Sequence, residues 1–205
     1  FIPLAEETGL IIPLGEWILH TACKQIAQWR DAGLPPMRVA VNLSARQFKD
    51  HNLFTTIFCT LRDYLLEPQY LELELTESLL ADDVEAANLT LHKLKRLGVV
   101  LSLDDFGTGY SSLAQLKRLP LDILKIDRSF VSDISKKNSD DMIVRTIIKL
   151  AHNLGLKALA EGVETPEEQA FLLEHGCDSI QGYHICHPLP ADQFEAWMRS
   201  RIANA

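Results

Sequence analysis

Residues 101–109, Leu-Ser-Leu-Asp-Asp-Phe-Gly-Thr-Gly, form the stretch around which the rest of the chain is organised. The apolar residues predict a buried strand that ends in two adjacent carboxylates, Asp104 and Asp105, and breaks at Gly107 and Gly109. Neighbouring acids repel each other and partial burial disfavours both charges, so a divalent cation would stabilise the pair. We therefore expect a metal site centred on these two acids, with a solvated acidic turn as the alternative.

Strand-like and helix-like segments alternate along the rest of the chain. The predicted strands are Arg38–Ser44, Tyr70–Ser78, the stretch that ends at Asp105, Leu121–Val131, Leu156–Glu164 and Asp178–Tyr183. The predicted helices are Ile12–Ala32, Leu53–Leu66, Asp83–Leu97, Ser111–Arg118, Ser139–Asn153, Thr165–Gly176 and Ala191–Arg201. This alternation predicts parallel strands covered by helices, as an α/β layer or barrel. The strand count fits an open doubly wound sheet and is too low for a closed eight-stranded barrel, so it does not decide between them.

Leucine and glutamate alternate in residues 71–77. In an antiparallel sheet with one solvated face, the glutamates would simply lie in water. In a barrel covered by helices they would point inward, where an unpaired charge is costly. The second arrangement requires cations or charged partners.

Each predicted strand carries a polar residue at or near its C-terminal end. In chain order these are Asn42, Glu74 with Glu77, Asp104 with Asp105, Lys125 with Asp127, Glu161 with Glu164, and Gln181. The C-terminal ends of parallel strands lie on one side of an α/β fold, so we expect these residues to converge in space. Carboxylate and amide oxygens suit Mg²⁺ or Mn²⁺ better than zinc or copper.

This set of groups also predicts a reaction class. Two ions that share a carboxylate can stabilise both the attacking and the leaving oxygen of a phosphoryl displacement. Lys125 adds a cation that would hold the attacking water or stabilise charge developing on the phosphate. The residues alone therefore predict a metal-dependent phosphoester hydrolase.

Composition limits the partners and the location. The chain has 205 residues and a formal net charge of -8, which argues against binding a nucleic-acid polymer but not against a small phosphate ligand whose site holds metal ions. No apolar run reaches the length of a membrane span, and no signal peptide is visible. We expect a cytoplasmic domain with no membrane contact of its own, in a protein that other domains could anchor to a membrane.

The motifs taken together resemble the EAL domain family of bacterial signalling proteins. The matching segments are Val-Asn-Leu-Ser (41–44), Glu-Leu-Thr-Glu-Ser (74–78), Asp-Asp-Phe-Gly-Thr-Gly-Tyr-Ser-Ser-Leu (104–113), Lys-Ile-Asp (125–127), Ala-Glu-Gly-Val-Glu-Thr (160–165), Gln-Gly-Tyr (181–183) and the opening residues 1–9. The resemblance covers the whole chain and implies one EAL domain over residues 1–205, with no second domain. It implies an α/β fold, a TIM-like (βα)8 barrel whose first strand is antiparallel to the rest and whose first two strands are missing here. The implied activity is hydrolysis of the second messenger cyclic di-GMP to linear pGpG by a phosphodiesterase.

The resemblance also implies a role for each polar strand-end residue. The implied ligands of two Mg²⁺ or Mn²⁺ ions are Asn42, Glu74, Asp104, Asp105 and Glu161. The implied catalytic residues, which would orient and help deprotonate the attacking water, are Lys125 and Glu161. The implied substrate contacts are Asp127, Glu164 and Gln181. Glu77 would anchor the loop after Asp105, which in the family couples the metal site to a dimer interface, so a homodimer and an upstream sensor or GGDEF domain are expected.

One departure from the family pattern affects the expected activity. The Glu-x-Leu motif that names the family lies upstream of Phe1 and is absent from this sequence; it supplies a metal ligand, and an arginine near it contacts the substrate phosphate. We therefore expect an N-terminally truncated EAL domain that alone hydrolyses cyclic di-GMP poorly or not at all. The alternative is a non-catalytic cyclic di-GMP receptor or protein-interaction module. Such relatives usually lose an acid at the Asp-Asp pair or at Glu161, and this chain keeps them.

Overall fold

The computed structural model describes residues 1–80, 84–106, 113–132, 134 and 140–203. The strands in these residues are β1 (Val39–Leu43), β2 (Leu71–Thr76), β3 (Val100–Phe106), β4 (Ile123–Ile126), β5 (Lys157–Ala160) and β6 (Ser179–Ile180). They form one sheet in chain order, and the pairs from β3 to β6 are parallel. At least one helix follows each strand, which confirms the predicted α/β fold.

Helices account for most of the remaining described residues. They are α1 (Ile2–Thr8), α2 (Ile11–Asp31), α3 (Ala45–Phe48), α4 (Leu53–Asp63), α5 (Val84–Leu97), α6 (Leu113–Leu116), α7 (Arg128–Val131), α8 (Asp140–Asn153), α9 (Pro166–Glu174) and α10 (Ala191–Ala203). Every predicted helix has a counterpart among them; the predicted starts at Asp83, Ser111 and Ser139 lie outside the described residues. Among the described helices, none combines the length and apolar character needed to cross a membrane.

The predicted strand Leu121–Val131 is wrong beyond Ile126. The chain leaves β4 there and forms the short helix α7, because the Asp127 side chain accepts a hydrogen bond from the backbone N–H of Ser129 and caps the helix. The predicted strand Leu156–Glu164 is also too long, since β5 ends at Ala160.

Helix α1 was not predicted from hydrophobic periodicity. A proline lies in its first turn, and it ends at Gly9, whose φ of 82° is left-handed. Proline at the start and glycine after the end are the usual helix boundaries, so the signal was present in the sequence.

The structure divides into two compact units, of which the first contains residues 1–74, 89–100 and 189–205. In this unit α2 packs against β1 and α4. The glutamates of β2 are not solvated, since Glu72 is 5% exposed and Glu74 is 8% exposed. Nη1 of Arg38 lies 3.4 Å from Oε2 of Glu72, so a charged partner stabilises this buried acid.

The second unit contains residues 75–88 and 101–188. Helix α8 packs on β4 and β5, where Ile126 and Ile148 contribute to a fully buried apolar core. Ser102 is paired with Ile123 across β3 and β4, and Lys125 with Leu159 across β4 and β5. Side chains alternate along each strand, so this register determines which polar residues share a face.

Candidate active site

Three charged side chains meet where β3, β4 and β5 end. Nζ of Lys125 lies 2.6 Å from Oε1 of Glu161 and 3.3 Å from Oδ1 of Asp104. Lys125 is only 2% exposed, whereas the carboxylate side chains of Asp104 and Glu161 keep 15% and 21% of their surface exposed. The strand ends therefore bring together three residues that are far apart in the sequence, as the parallel-strand argument predicted.

Asp105 has an unusual backbone conformation for a strand residue. Its φ of 55° is left-handed, and the register of β3 against β4 shifts between Leu103 and Phe106. Strict alternation would direct Asp105 to the face opposite Asp104, into the apolar layer that contains Leu103. The irregularity instead leaves Asp105 exposed, and its backbone N–H donates a 3.0 Å hydrogen bond to Oδ1 of Asp104.

The cluster carries more negative charge than Lys125 can neutralise. Burial and the charges of Asp104 and Asp127 raise the pKa of Asp105, while Lys125 acts in the opposite direction. Burial also raises the pKa of Glu161, where the hydrogen bond and charge of Lys125 again oppose the shift. Ionising Asp105 and Glu161 therefore costs more here than it does in water, and a nearby cation would offset that cost.

The donor set fits a hard divalent cation, because every acidic group of the cluster offers carboxylate oxygens and the summed charge is negative. Within the described part of the chain, no three His, Cys, Asp or Glu side chains are arranged closely enough to hold an ion. The ammonium of Lys125 lies within contact distance of both Asp104 and Glu161. Holding an ion would therefore require these carboxylates to turn from Lys125 toward the ion.

Two acids border this cluster in the second unit. Asp127 accepts hydrogen bonds from the side chain and the backbone N–H of Ser129. Burial acts to raise the pKa of Asp127, but these hydrogen bonds and one from the backbone of Arg128 outweigh it and lower the pKa. Glu77 lies in a 3-10 turn after β2, is 6% exposed, and its charge helps to raise the pKa of Asp105.

A comparison with models of protein families identifies the family of this chain. The model of the EAL domain matches residues 1–188. The chain belongs to the EAL domain family.

Two relatives of this EAL domain are named as cyclic di-GMP enzymes. The chain is 47% identical over 196 residues, 96% of its length, to the bifunctional diguanylate cyclase/cyclic di-GMP phosphodiesterase MucR of Pseudomonas aeruginosa. It is 44% identical over 205 residues, 100% of its length, to the cyclic di-GMP phosphodiesterase PdeR of Escherichia coli. It spans only 29% and 31% of the lengths of these relatives.

A solved structure of the PaMucR phosphodiesterase in its c-di-GMP complex has the same fold as this EAL domain. It matches with a TM-score of 0.90 and 47% sequence identity, over 95% of this chain and 78% of that chain. The parallel-strand α/β fold expected from the family resemblance is therefore confirmed.

Two predicted ligands of the EAL domain lie in the first compact unit. Asn42 is an exposed residue of β1, and Glu74 is a buried residue of β2. Asp104, Asp105 and Glu161 belong to the second unit, so a shared ion site with Asn42 and Glu74 stays a prediction.

The predicted substrate contacts Glu164 and Gln181 lie just after β5 and β6 of the EAL domain, and both are exposed. Oε1 of Glu164 lies 2.7 Å from Nη2 of Arg128. Arg128 was missed in the sequence analysis, where residues 121–131 were assigned to a strand. Arg128 directly follows the Lys-Ile-Asp motif, and this position in the sequence could have marked it as a residue of the site.

Proposed function

We propose that this chain is the catalytic domain of a phosphodiesterase that hydrolyses cyclic di-GMP to pGpG with two Mg²⁺ or Mn²⁺ ions. The cluster of Asp104, Lys125 and Glu161 carries the proposal, because it gathers hard ligands and a buried cation at the strand ends. The similarity of the chain to relatives named as cyclic di-GMP phosphodiesterases supports cyclic di-GMP as the substrate. The cytoplasm is the expected location.

Five residues would hold the ions in this proposal. They are Asn42, Glu74, Asp104, Asp105 and Glu161. Bound ions would polarise the phosphate and lower the pKa of a coordinated water. The chain's own contribution is the excess of negative charge around Asp105 and Glu161, which raises the pKa of both carboxyls and favours cation binding.

Lys125 and Glu161 would prepare the attacking water. The 2.6 Å pair keeps the Glu161 carboxylate beside Lys125 at the strand ends, where it would accept a proton from that water. The ammonium of Lys125 can then stabilise negative charge on the phosphate oxygens.

Substrate recognition would use the exposed residues beside the cluster. Glu164 and Gln181 would contact a guanine, and Asp127 would lie on the substrate side of the site. Glu77, whose charge acts on Asp105, would anchor the loop that follows Asp105 and connect the metal site to a homodimer interface. An upstream sensor or GGDEF domain would complete the protein.

A hydrolysis assay tests the proposal. The chain and a version extended upstream are incubated with cyclic di-GMP and Mg²⁺ or Mn²⁺, and pGpG is quantified. We expect clear turnover by the extended protein and weak or no turnover by the 205-residue chain. Equal rates for the two would contradict the expected weak activity of the shorter chain.

Two variants of the extended protein separate an enzyme from a receptor. Asp105→Asn and Glu161→Gln should lower turnover at least a hundredfold, whereas the control Glu174→Gln, an exposed acid at the end of α9, should not. Binding of cyclic di-GMP without any hydrolysis by the unmodified protein would favour the receptor alternative. Full turnover by both variants would show that the assigned roles are wrong.

A further inference from the structure

Arg128 and Glu164 form an ion pair at the rim beside the acidic cluster. Nη2 of Arg128 lies 2.7 Å from Oε1 of Glu164, and the two side chains keep 61% and 42% of their surface exposed. An exposed ion pair of this kind adds little to stability. Its position next to Asp127 and Glu161 instead indicates a role in the site.

The stem of Arg128 is held in place by the close approach of a glycine. Gly162 has a left-handed φ of 68°, and a Cβ built on it would lie 2.3 Å from Cγ of Arg128. The backbone after β5 therefore passes directly beneath the arginine side chain, at a distance that no larger residue permits. This contact limits the positions that the guanidinium can adopt.

The backbone on both sides of the pair is also fixed. Asp127 caps α7, which orients the first helical residue, Arg128. The carboxylate of Glu168 accepts hydrogen bonds of 2.7 Å from the N–H of Glu164 and 3.1 Å from that of Thr165. The pair thus joins two anchored segments, and the Glu164 carboxylate has a defined direction.

The charge of Glu164 would otherwise oppose the proposed substrate. A cyclic dinucleotide carries two phosphodiester anions, and Asp104, Asp105 and Glu161 already make the neighbourhood negative. The Arg128 guanidinium offsets the charge of Glu164, and the oxygens of the Glu164 carboxylate keep lone pairs that can accept hydrogen bonds from a ligand. Guanine presents an N1–H and a 2-amino group side by side, which matches a carboxylate acceptor.

We propose that Arg128 is a positioning residue that orients and neutralises Glu164 for recognition of the guanine N1–H and 2-amino edge. This inference rests on the proposed function, because it takes cyclic di-GMP as the ligand. Arg128 acts through Glu164 and not on the reacting phosphate. Its effect is therefore expected on affinity and base selectivity.

A double-mutant cycle tests this role in the extended protein. Binding of cyclic di-GMP and of cyclic di-IMP, which lacks the 2-amino groups, is measured by calorimetry with metals chelated, and KM and kcat are measured with Mg²⁺. Arg128→Met should weaken cyclic di-GMP binding about tenfold, the factor that one misoriented charge-assisted hydrogen bond represents, and weaken cyclic di-IMP binding less. The loss should appear in KM more than in kcat, and Arg128→Lys should restore part of it.

The second half of the cycle separates positioning from a general charge effect. In a Glu164→Gln background, Arg128→Met should have no further effect, since the group it orients is absent. Arg145→Met is the matched control, because Arg145 is an exposed arginine of α8 that pairs with Asp141 instead. It should bind both ligands like the unmodified protein.

The outcomes distinguish the two proposals. Suppose that the unmodified protein binds and hydrolyses cyclic di-GMP, but Arg128→Met lowers the affinities for both ligands equally or lowers neither. The positioning role is then wrong, and the proposed function stands. Additive effects of Arg128→Met and Glu164→Gln would likewise overturn it. If the unmodified protein neither binds nor hydrolyses cyclic di-GMP, the proposed function fails and the inference fails with it.

Discussion

The buried ammonium of Lys125 lies 2.6 Å from Oε1 of Glu161, and the same nitrogen lies 3.3 Å from Asp104. One lysine thus stands between two carboxylates at the ends of three adjacent parallel strands. The buried ammonium of Lys125 is stable only beside carboxylates, and the partly buried carboxylates of Asp104 and Glu161 are in turn stabilised by the ammonium. The cluster is therefore both a structural feature of the second unit and the centre of the candidate site.

Replacing Lys125 should destabilise the protein as well as inactivate it. Lys125→Met keeps the apolar stem but leaves Asp104 and Glu161 partly buried without their cation, so we expect a loss of about 3 kcal/mol in the free energy of unfolding at neutral pH. Urea denaturation measures this loss. Lys157→Met, which removes an exposed lysine at the start of β5, should cost less than about 0.5 kcal/mol. Equal losses for the two variants would show that the cluster does not depend on Lys125.

Divalent ions should stabilise the folded protein through the same carboxylates. Binding to the folded state alone raises the free energy of unfolding by about 2.7 kcal/mol when the ion is at a hundred times its Kd. We expect the Tm to rise with added Mn²⁺ or Mg²⁺, and the rise to be much smaller for Asp104→Asn. Glu174→Gln is the control and should respond like the unmodified protein. An unchanged Tm over a full titration would argue against an ion site in this chain.

The convergence of Asp104, Lys125 and Glu161 was predictable from the sequence because it follows from chain connectivity. Strand–helix alternation makes the strands parallel, and parallel strands place their C-terminal ends together whatever the details of packing. The salt bridges that Lys125 makes were not predictable in the same way. They depend on the register of β4 against its neighbours, which the hydrophobic pattern does not specify.

Local backbone geometry was the part that the sequence analysis missed. The predicted strand Leu121–Val131 includes Asp127, but its carboxylate instead caps α7 through Ser129. Competition between a side-chain cap and a strand ladder is decided by a few hydrogen bonds, which periodicity does not detect. The left-handed φ of Asp105 was missed for the same reason.

Two glycines with similar backbone angles should respond differently to substitution. Gly162 and Gly155 have φ of 68° and 75°, but a Cβ at Gly162 would clash with Arg128, whereas a Cβ at Gly155 would meet nothing within 4 Å. Gly155→Ala should lower the free energy of unfolding by about 1–2 kcal/mol, because alanine is strained in the left-handed conformation. Gly162→Ala should lower it by roughly 1–3 kcal/mol more than Gly155→Ala does, because the added methyl overpacks against the stem of Arg128.

Urea denaturation of both glycine variants gives these values. Combining Gly162→Ala with Arg128→Ala removes Cγ and Cδ of residue 128 but leaves its Cβ 2.7 Å from the added methyl, so only part of the extra loss should disappear. If Gly162→Ala costs no more than Gly155→Ala, the two segments do not approach as closely as the structure shows.

The pair of His152 and Asp178 should make stability depend on pH. Oδ2 of Asp178 accepts a 2.8 Å hydrogen bond from the N–H of Ala158 and lies 2.8 Å from Nε2 of His152. Burial acts to raise the pKa of Asp178, but these contacts, with the positive charge of Lys157, outweigh it and lower the pKa. The folded state therefore binds a proton at Asp178 less readily than the unfolded chain does.

The sign of the effect follows from that difference. The stabilisation from Asp178 is complete above the pKa of an unfolded aspartate, about 3.9, and is lost as the pH falls through the lower pKa of the folded state. Asp178→Asn keeps an oxygen acceptor for Ala158 but cannot titrate. The gap in the free energy of unfolding between the unmodified protein and Asp178→Asn should therefore shrink from about pH 5 to about pH 3, as measured by urea midpoints. Parallel curves over that range would show that the folded protein does not favour the ionised form of Asp178.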